Sequence, residues 1–176
     1  MSDATQLDVR PLEPGDDTSN FHCGEESLDL YLQRYALSAQ NSGGPRTYVA
    51  VAEGHSIVGY YSLVNDSMER EKAPQRLAAG MGRYPIPLTL LARLAVVRGD
   101  QGGGIGTELV LHAFTVALAA AQMVGSRGIT VDVLRQGLQA WYRRFGFREF
   151  DPDMEPPDLQ MYLLMKGVRG TLRAFG

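Results

Sequence analysis

The chain has 176 residues, long enough for one well-buried domain and short for two, so a single active site is expected. A hydrophobic content of 44% beside 21% charged residues suits a soluble globular protein, and the longest apolar run, residues 116–121, falls far below the roughly 20 residues of a membrane span. The formal charge of -3 conceals an asymmetry: residues 1–71 hold 12 acids against four arginines (net -8), residues 72–148 ten bases against three acids (net +7), and residues 149–176 five acids against three bases (net -2).

These figures exclude several classes. Asp3, Asp8 and Arg10 stand where a signal peptide would have its apolar core, so a cytoplasmic protein without membrane contact is expected. The single cysteine, Cys23, cannot form an internal disulfide, and His22, His55 and His112 are too scattered for a zinc set, so no metal is expected. Neighbouring side chains point apart on most backbones, which makes Cys23 a packing residue rather than the partner of His22 in a thiol-imidazole pair. The basic middle is almost all arginine, whose planar fork suits phosphate. An anionic ligand or an ordinary solvated face both account for any one of these arginines.

In chain order, residues 6–10 read as a short strand. Residues 25–37 form an amphipathic helix with Leu28, Tyr31, Leu32 and Tyr35 on one face and Glu25 and Glu26 in its first turn. After the breaker Asn41-Ser42-Gly43-Gly44-Pro45, residues 47–52 and 57–64 flank Glu53-Gly54-His55-Ser56 as a hairpin. Residues 68–87 are irregular and basic, and residues 88–97 form a nearly continuous apolar strand interrupted only by Arg93. Residues 107–124 are a helix that buries Leu109, Val110, Ala113, Phe114, Ala117, Ala120, Ala121 and Val124. A strand over 129–133, a helix over 136–145 ended by Gly146, a loop over 151–158 and a strand over 159–165 complete an α+β order. There is no internal repeat, low-complexity tract or linker.

Four glycines within five positions, in Gln101-Gly102-Gly103-Gly104-Ile105-Gly106, separate the apolar strand from the long helix. Such a cluster answers either a need for positive φ or the approach of a ligand to bare main chain. The spacing G-x-G-x-x-G is absent, and no Gly-Lys dipeptide exists for a P-loop. What remains is a strand, a turn and a helix whose first free N–H groups face the turn, which is either a phosphate site or a surface turn without a ligand.

Gln101-x-x-Gly104-x-Gly106 after an apolar strand resembles the pyrophosphate loop of the GNAT superfamily of N-acetyltransferases. Forty residues on, Trp141-Tyr142-Arg143-Arg144-Phe145-Gly146-Phe147 is similar to the aromatic-Tyr-x-x-Phe-Gly-Phe signature of that family. The resemblance spans the whole chain and implies a single domain, residues 1–176, with a mixed central sheet, splayed strands four and five, flanking helices, and acetyl-coenzyme A as co-substrate. It implies that the main chain of Leu94, Ala95 and Val96 bonds the pantetheine. Gln101, Gly102, Gly103, Gly104, Ile105, Gly106 and Thr107 would hold the pyrophosphate, Asp132 would add a coenzyme contact, and Tyr142 would be the acid that meets the departing thiolate. A thiol pKa near 8.5 against about 10 for tyrosine makes full transfer mildly uphill, so a strong hydrogen bond from Tyr142 is the expected contribution.

The strand over 88–97 contains no carboxylate to serve as general base. Lysine, at a pKa of about 10.4, needs one; an α-amino group at about 7.7 to 8.0 is already partly neutral. An α-amine on an anionic body fits both this absence and the arginines, and aminoacyl-tRNA has that description. Phe21-His22-Cys23-Gly24-Glu25-Glu26, Gly59-Tyr60-Tyr61-Ser62-Leu63 and Pro87-Leu88-Thr89-Leu90-Leu91-Ala92-Arg93-Leu94 are in turn similar to the GNAT toxins of bacterial toxin-antitoxin pairs. That resemblance implies acetylation of charged tRNA, a block of translation, and neutralisation by a ribbon-helix-helix antitoxin; members often pair, so a homodimer is also implied. Arg76, Arg83, Arg93, Arg143 and Arg144 would line the tRNA path, with Arg93 alternatively pairing with a buried acid such as Asp132. Two other functions stay open: an acetyltransferase for a small-molecule or protein amine, and a non-catalytic coenzyme-binding module.

Overall fold

The structure is a computed structural model and describes residues 7–176; Gln6, the expected first residue of the opening strand, lies outside the described residues. Strands β1 (Asp8–Pro11), β2 (Arg46–Val51), β3 (Ile57–Met68), β4 (Ile86–Val96), β5 (Gly128–Val133), β6 (Arg148–Glu149) and β7 (Leu159–Leu164) form one sheet in the order β1-β2-β3-β4-β5-β7-β6. The pairs β1/β2, β2/β3, β5/β7 and β6/β7 are antiparallel, and β4/β5 is parallel. The parallel register covers only Leu88–Leu91 against Gly128–Val131, as expected for strands four and five that separate early.

The described chain divides at that point into two compact units, one comprising residues 7–64 and 92–113 and the other residues 65–91 and 114–176. In the first unit, a helical run between β1 and β2 begins as α1 (Glu26–Leu30), widens into a π-helical segment (Tyr31–Tyr35) and continues as α2 (Ala36–Asn41). Its buried face starts as the pattern predicts, with Tyr31 and Leu32, but Tyr35 is 57% exposed and Ala36 is buried instead. A π segment takes an extra residue per turn, so the apolar stripe slips by one position beyond it. Leu12, Phe21, Cys23, Val49, Val51, Ile57, Tyr60 and Ala95 complete the cluster around Tyr31 and Leu32. The β2-β3 turn forms where expected, with Gly54 and His55 at positive φ and the Ala52 N–H donating to the Ser56 carbonyl at 2.9 Å.

The second unit begins where the sequence reads as irregular. There β3 extends to Met68, and a short α3 (Gln75–Ala78) buries Leu77 against Ile86, Leu88 and Tyr162. The long helix α4 (Ile105–Val124) is, by length and composition alone, apolar enough to cross a bilayer. Leu109, Val110, Ala113, Phe114 and Ala117 are fully buried along it, which is the packing of a core helix. The predicted stripe weakens beyond Ala117: Ala121 stays half-buried, but Ala120 is exposed and Val124 is 79% exposed. Helix α5 (Leu138–Arg143) is shorter than predicted, and Gly146 ends its turn at φ +99°. Phe114 packs edge-on against Phe145 with centroids 6.4 Å apart and tilted against Phe147 at 5.8 Å, joining α4 to that turn. Strand β6 and helix α6 (Met165–Phe175) had no counterpart in the sequence reading; the spacing Met165, Val168, Leu172, Phe175 is the helical signal that was there to find.

Candidate active site

Helix α4 starts at the glycine turn. The Gly104 carbonyl accepts the Glu108 N–H at 3.1 Å, which makes Gly104 the N-cap and leaves the N–H groups of Ile105, Gly106 and Thr107 without carbonyls one turn behind them. Gly102 and Gly104 adopt φ of +83° and +94°, and nothing lies within 4 Å of where a Cβ would stand on either. Gly102 and Gly104 therefore meet the need for positive φ and leave the main chain unobstructed, whereas a Cβ on Gly103 would stand 3.3 Å from the Asp100 carbonyl. A cleft of about 910 Å³ opens there, lined by Val58, Gln101, Gly103, Gly104, Ile105 and Glu108 among others. Free N–H groups and the positive end of a 20-residue helix facing a cleft of that size suit a pyrophosphate.

The turn is held from below. Gln101 donates its side-chain amide to the carbonyls of Cys23 at 2.8 Å and Val96 at 3.0 Å, so this side chain tethers the loop and leaves the main chain to face the cleft. The Arg98 N–H donates to the His22 carbonyl at 3.0 Å, and the Cys23 N–H donates to Asp29 Oδ1 at 2.8 Å. The segment Phe21-His22-Cys23-Gly24 is thus the brace of the glycine turn. Gly24, at φ +98°, lets the Arg98 guanidinium lie against its backbone, where a Cβ would come within 2.9 Å of Nη2. Burial pushes the Cys23 thiol up to about 11, which keeps it an inert packing group. Gly59 has a role the sequence reading missed. A Cβ there would meet Leu109 Cδ1 at 2.9 Å and the Ala95 carbonyl at 3.1 Å, so only glycine lets the first turns of α4 settle on the sheet.

On β4, Leu94, Ala95 and Val96 lead into the same turn. Arg93 does not pair with Asp132. Its guanidinium lies 3.5 Å over the ring of Tyr31, while Asp132 is exposed and accepts a 2.7 Å bond from Gln160. A cation over an aromatic face needs no buried acid, which removes the reason for that alternative pairing. Tyr60 packs beside Tyr31 and donates to the Leu28 carbonyl at 2.7 Å; burial raises its pKa well above the ordinary range. Tyr61 and His112 Nδ1 lie 2.7 Å apart, and burial lowers the pKa of His112.

In the other unit, α5 presents Tyr142, which is 5% exposed and wedged edge-on between Trp141 (5.1 Å) and Phe147 (5.5 Å). Burial raises its phenol pKa well beyond the usual value, and the Arg135 charge offsets this only in part. Of the predicted tRNA-path residues, Arg76, Arg143 and Arg144 line one groove of about 430 Å³, together with Arg148 and Lys166. Arg143 is ion-paired there, its Nε donating to Glu149 Oε1 at 2.6 Å. Burial raises the Glu149 pKa, yet the bonds from Gln139 and Arg143 together hold it below the usual carboxylate range. Arg83 is exposed on the segment before β4, and Arg93 belongs to the first unit. Arg127, one of the basic residues that suggested an anionic ligand, donates to the carbonyls of Leu77 (3.1 Å), Arg76 (3.2 Å) and Ala79 (3.0 Å) and so fastens α3.

The model of the acetyltransferase (GNAT) domain matches residues 44–149. The chain is 37% identical over 164 residues to the tRNA-acetylating toxin of Mycobacterium tuberculosis (strain ATCC 25618 / H37Rv), covering 93% of this chain and 95% of that protein. Among solved structures it is similar to AtaT complexed with acetyl-methionyl-tRNAfMet, at a TM-score of 0.83 and 26% identity, over 97% of this chain and 100% of that one. It is also similar to a tyrosine-to-phenylalanine mutant of AtaT bound to the C-terminus of the antitoxin AtaR and acetyl-CoA, at a TM-score of 0.75 and 28% identity, over 93% and 96%.

Proposed function

The chain belongs to the GNAT family of acetyltransferases, and from that premise we propose that it moves the acetyl group of acetyl-CoA onto the α-amino group of an aminoacyl-tRNA, acting as a toxin that blocks translation. The observation that carries this is the helix mouth at Gly104: open main chain at Gly102 and Gly104, uncommitted N–H groups from Ile105 to Thr107, and the cleft before them. In the proposal these donors take the pyrophosphate and the main chain of Leu94, Ala95 and Val96 aligns the pantetheine. Acetyl-CoA supplies the activated thioester. Tyr142 keeps its proton because burial raises its pKa, so it donates a hydrogen bond to the departing sulfur rather than giving up the proton outright. Asp132 is the least supported member of the coenzyme set, being exposed and engaged by Gln160.

The acceptor follows from what β4 lacks. No carboxylate occurs between Ile86 and Val96, so the amine must arrive largely neutral, as an α-amine near pKa 8 does and a lysine does not. The AtaT complex with acetyl-methionyl-tRNAfMet supports the same acceptor here, and the complex with AtaR supports a partner antitoxin, proposed to be of ribbon-helix-helix type. Action on charged tRNA places the protein in the cytoplasm, and a homodimer is part of the proposal. The test is incubation with labelled acetyl-CoA and a mixture of charged tRNA, peptides and polyamines. Label on the aminoacyl group of tRNA is the expected result; label only on peptides or polyamines would make this a general acetyltransferase, and no uptake of acetyl-CoA would remove the enzyme altogether.

A further inference from the structure

Tyr31 carries a hydroxyl that folding buries without giving it a hydrogen-bond partner. The residue is 9% exposed, and nothing among the described residues bonds its oxygen. Such an atom is the exception in a native core, and an incoming polar group is one way to satisfy it. Over the same ring, 3.5 Å from its centroid, lies the guanidinium of half-buried Arg93, which makes no hydrogen bond and no ion pair among the described residues. At that distance the two side chains are in contact, so the guanidinium N–H groups and the phenol hydroxyl stand side by side.

The groups around the pair are already committed. Tyr60, on β3, packs beside Tyr31 with centroids 6.5 Å apart and donates to the Leu28 carbonyl at 2.7 Å. Asp29, on α1, accepts the Cys23 N–H at 2.8 Å and lies 3.6 Å from His22 Nδ1. The Cys23 thiol, pushed up to about 11 by burial, stays neutral. Of the titratable side chains that cluster with Tyr60 here, only Tyr31 and Arg93 therefore hold donors with nothing to receive them, and Arg93 is the single cation. All of them belong to the first unit, together with Leu94, Ala95 and Val96.

We infer that Tyr31 and Arg93 hold the acyl carbonyl oxygen of the acceptor, the one attached to the carbon that bears the reacting α-amine. Two donors of this kind call for an acceptor oxygen, and half-buried Arg93 is the flexible wall over which it enters. The inference rests on the proposed acetyl transfer: Arg93 is the residue before Leu94, whose main chain aligns the pantetheine in that proposal. An aminoacyl carbonyl lies two bonds from its amine, so fixing the oxygen fixes the nucleophile. A polyamine or a lysine side chain has no carbonyl there and loses this hold. The guanidinium has a second effect, since a neighbouring positive charge disfavours an ammonium. Arg93 thereby keeps the amine neutral on a strand that offers no carboxylate to deprotonate it.

The experiment measures acetylation of charged tRNA by the full chain and by Tyr31→Phe, Arg93→Lys and Arg93→Gln, beside saturation-transfer NMR of alaninamide and of ethylamine, its counterpart without the carbonyl. Tyr31→Phe keeps the ring under Arg93 and removes no hydrogen bond of the free protein, so its melting temperature should not fall. Its KM for charged tRNA should nevertheless rise about five- to tenfold with acetyl-CoA affinity unchanged. Arg93→Gln should move the acid limb of the kcat profile up by about one pH unit, whereas Arg93→Lys keeps the charge and the limb but raises KM. Alaninamide should bind more tightly than ethylamine, and Tyr31→Phe should erase the difference. Equal binding of the two amines, or an unmoved limb in folded Arg93→Gln, would overturn the inference. If charged tRNA is acetylated with the same KM by Tyr31→Phe, the carbonyl site falls and the activity stands. If charged tRNA is never acetylated but the alaninamide preference is present and depends on Tyr31, the proposed activity falls and the site stands.

Discussion

Gln101 Nε2 lies 2.8 Å from the carbonyl oxygen of Cys23, so a residue of the glycine turn is tied to a segment 78 positions earlier in the chain. The same amide reaches the Val96 carbonyl. Replacing it with Gln101→Ala removes two hydrogen bonds, which should lower stability by about 1 to 2 kcal/mol and release the loop that positions the helix mouth. Urea unfolding checks the first effect. Calorimetry with acetyl-CoA checks the second, where roughly a tenfold weaker Kd is expected, and Gln101→Glu should be worse because it turns an acceptor toward two carbonyls.

Gly104→Ala isolates backbone conformation from packing. With φ at +94° and open space around it, an added methyl group meets nothing, so its cost is strain alone, about 1 to 2 kcal/mol. Relief of that strain would rotate the N-cap and misdirect the N–H groups behind it, so acetyl-CoA binding should weaken by about tenfold. Gly99→Ala, where a Cβ also meets nothing and φ is not positive, should change stability by less than about 0.5 kcal/mol and leave binding unchanged. Equal effects at the two positions would contradict this account of the turn.

Tyr142→Phe retains the ring between Trp141 and Phe147 and deletes only the hydroxyl. The expected outcome is a fall in kcat of about 10² to 10³ with acetyl-CoA affinity and melting temperature preserved. Because burial holds the phenol protonated beyond its usual range, the rate should show no alkaline loss attributable to this residue below about pH 10. A steady-state profile from pH 6 to 9.5 tests it.

His112 supplies a pH signature for stability. Its folded-state pKa is depressed by burial, so below the unfolded value near 6.5 the unfolded chain takes up the proton first. Stability attributable to this residue is therefore intact above about pH 6.5 and lost as the pH falls toward the lower folded value. His112→Asn, which can still accept from Tyr61, should reduce the drop in urea midpoint between pH 7 and pH 5. An identical drop in the variant would assign the acid sensitivity elsewhere.

Several elements were legible in the residues alone because their signals are local. The hairpin over Glu53 to Ser56, the apolar β4, the glycine turn and the stop at Gly146 each follow from turn chemistry or periodicity within a dozen residues. The failures came where distant chain decides. Tyr35 was assigned to the core because a regular helix puts it there, and the π segment slipped the phase. Ala120 and Val124 continue the apolar spacing of α4, but burial needs a neighbour, and spacing cannot show that these two positions lack one.

By itself the sequence determined residue types and short spacings: a glycine turn before a long helix, a tyrosine in an aromatic turn, and an apolar strand without a carboxylate. Only the tertiary structure decided which charges are available. Arg127 fastens a backbone, Arg143 is held by Glu149, Arg93 covers a tyrosine ring, and Arg148 and Lys166 meet in a groove. A guanidinium carries the same charge wherever it falls in the chain; whether it faces a ligand depends on the carbonyls, carboxylates and rings that folding brings within 4 Å of it.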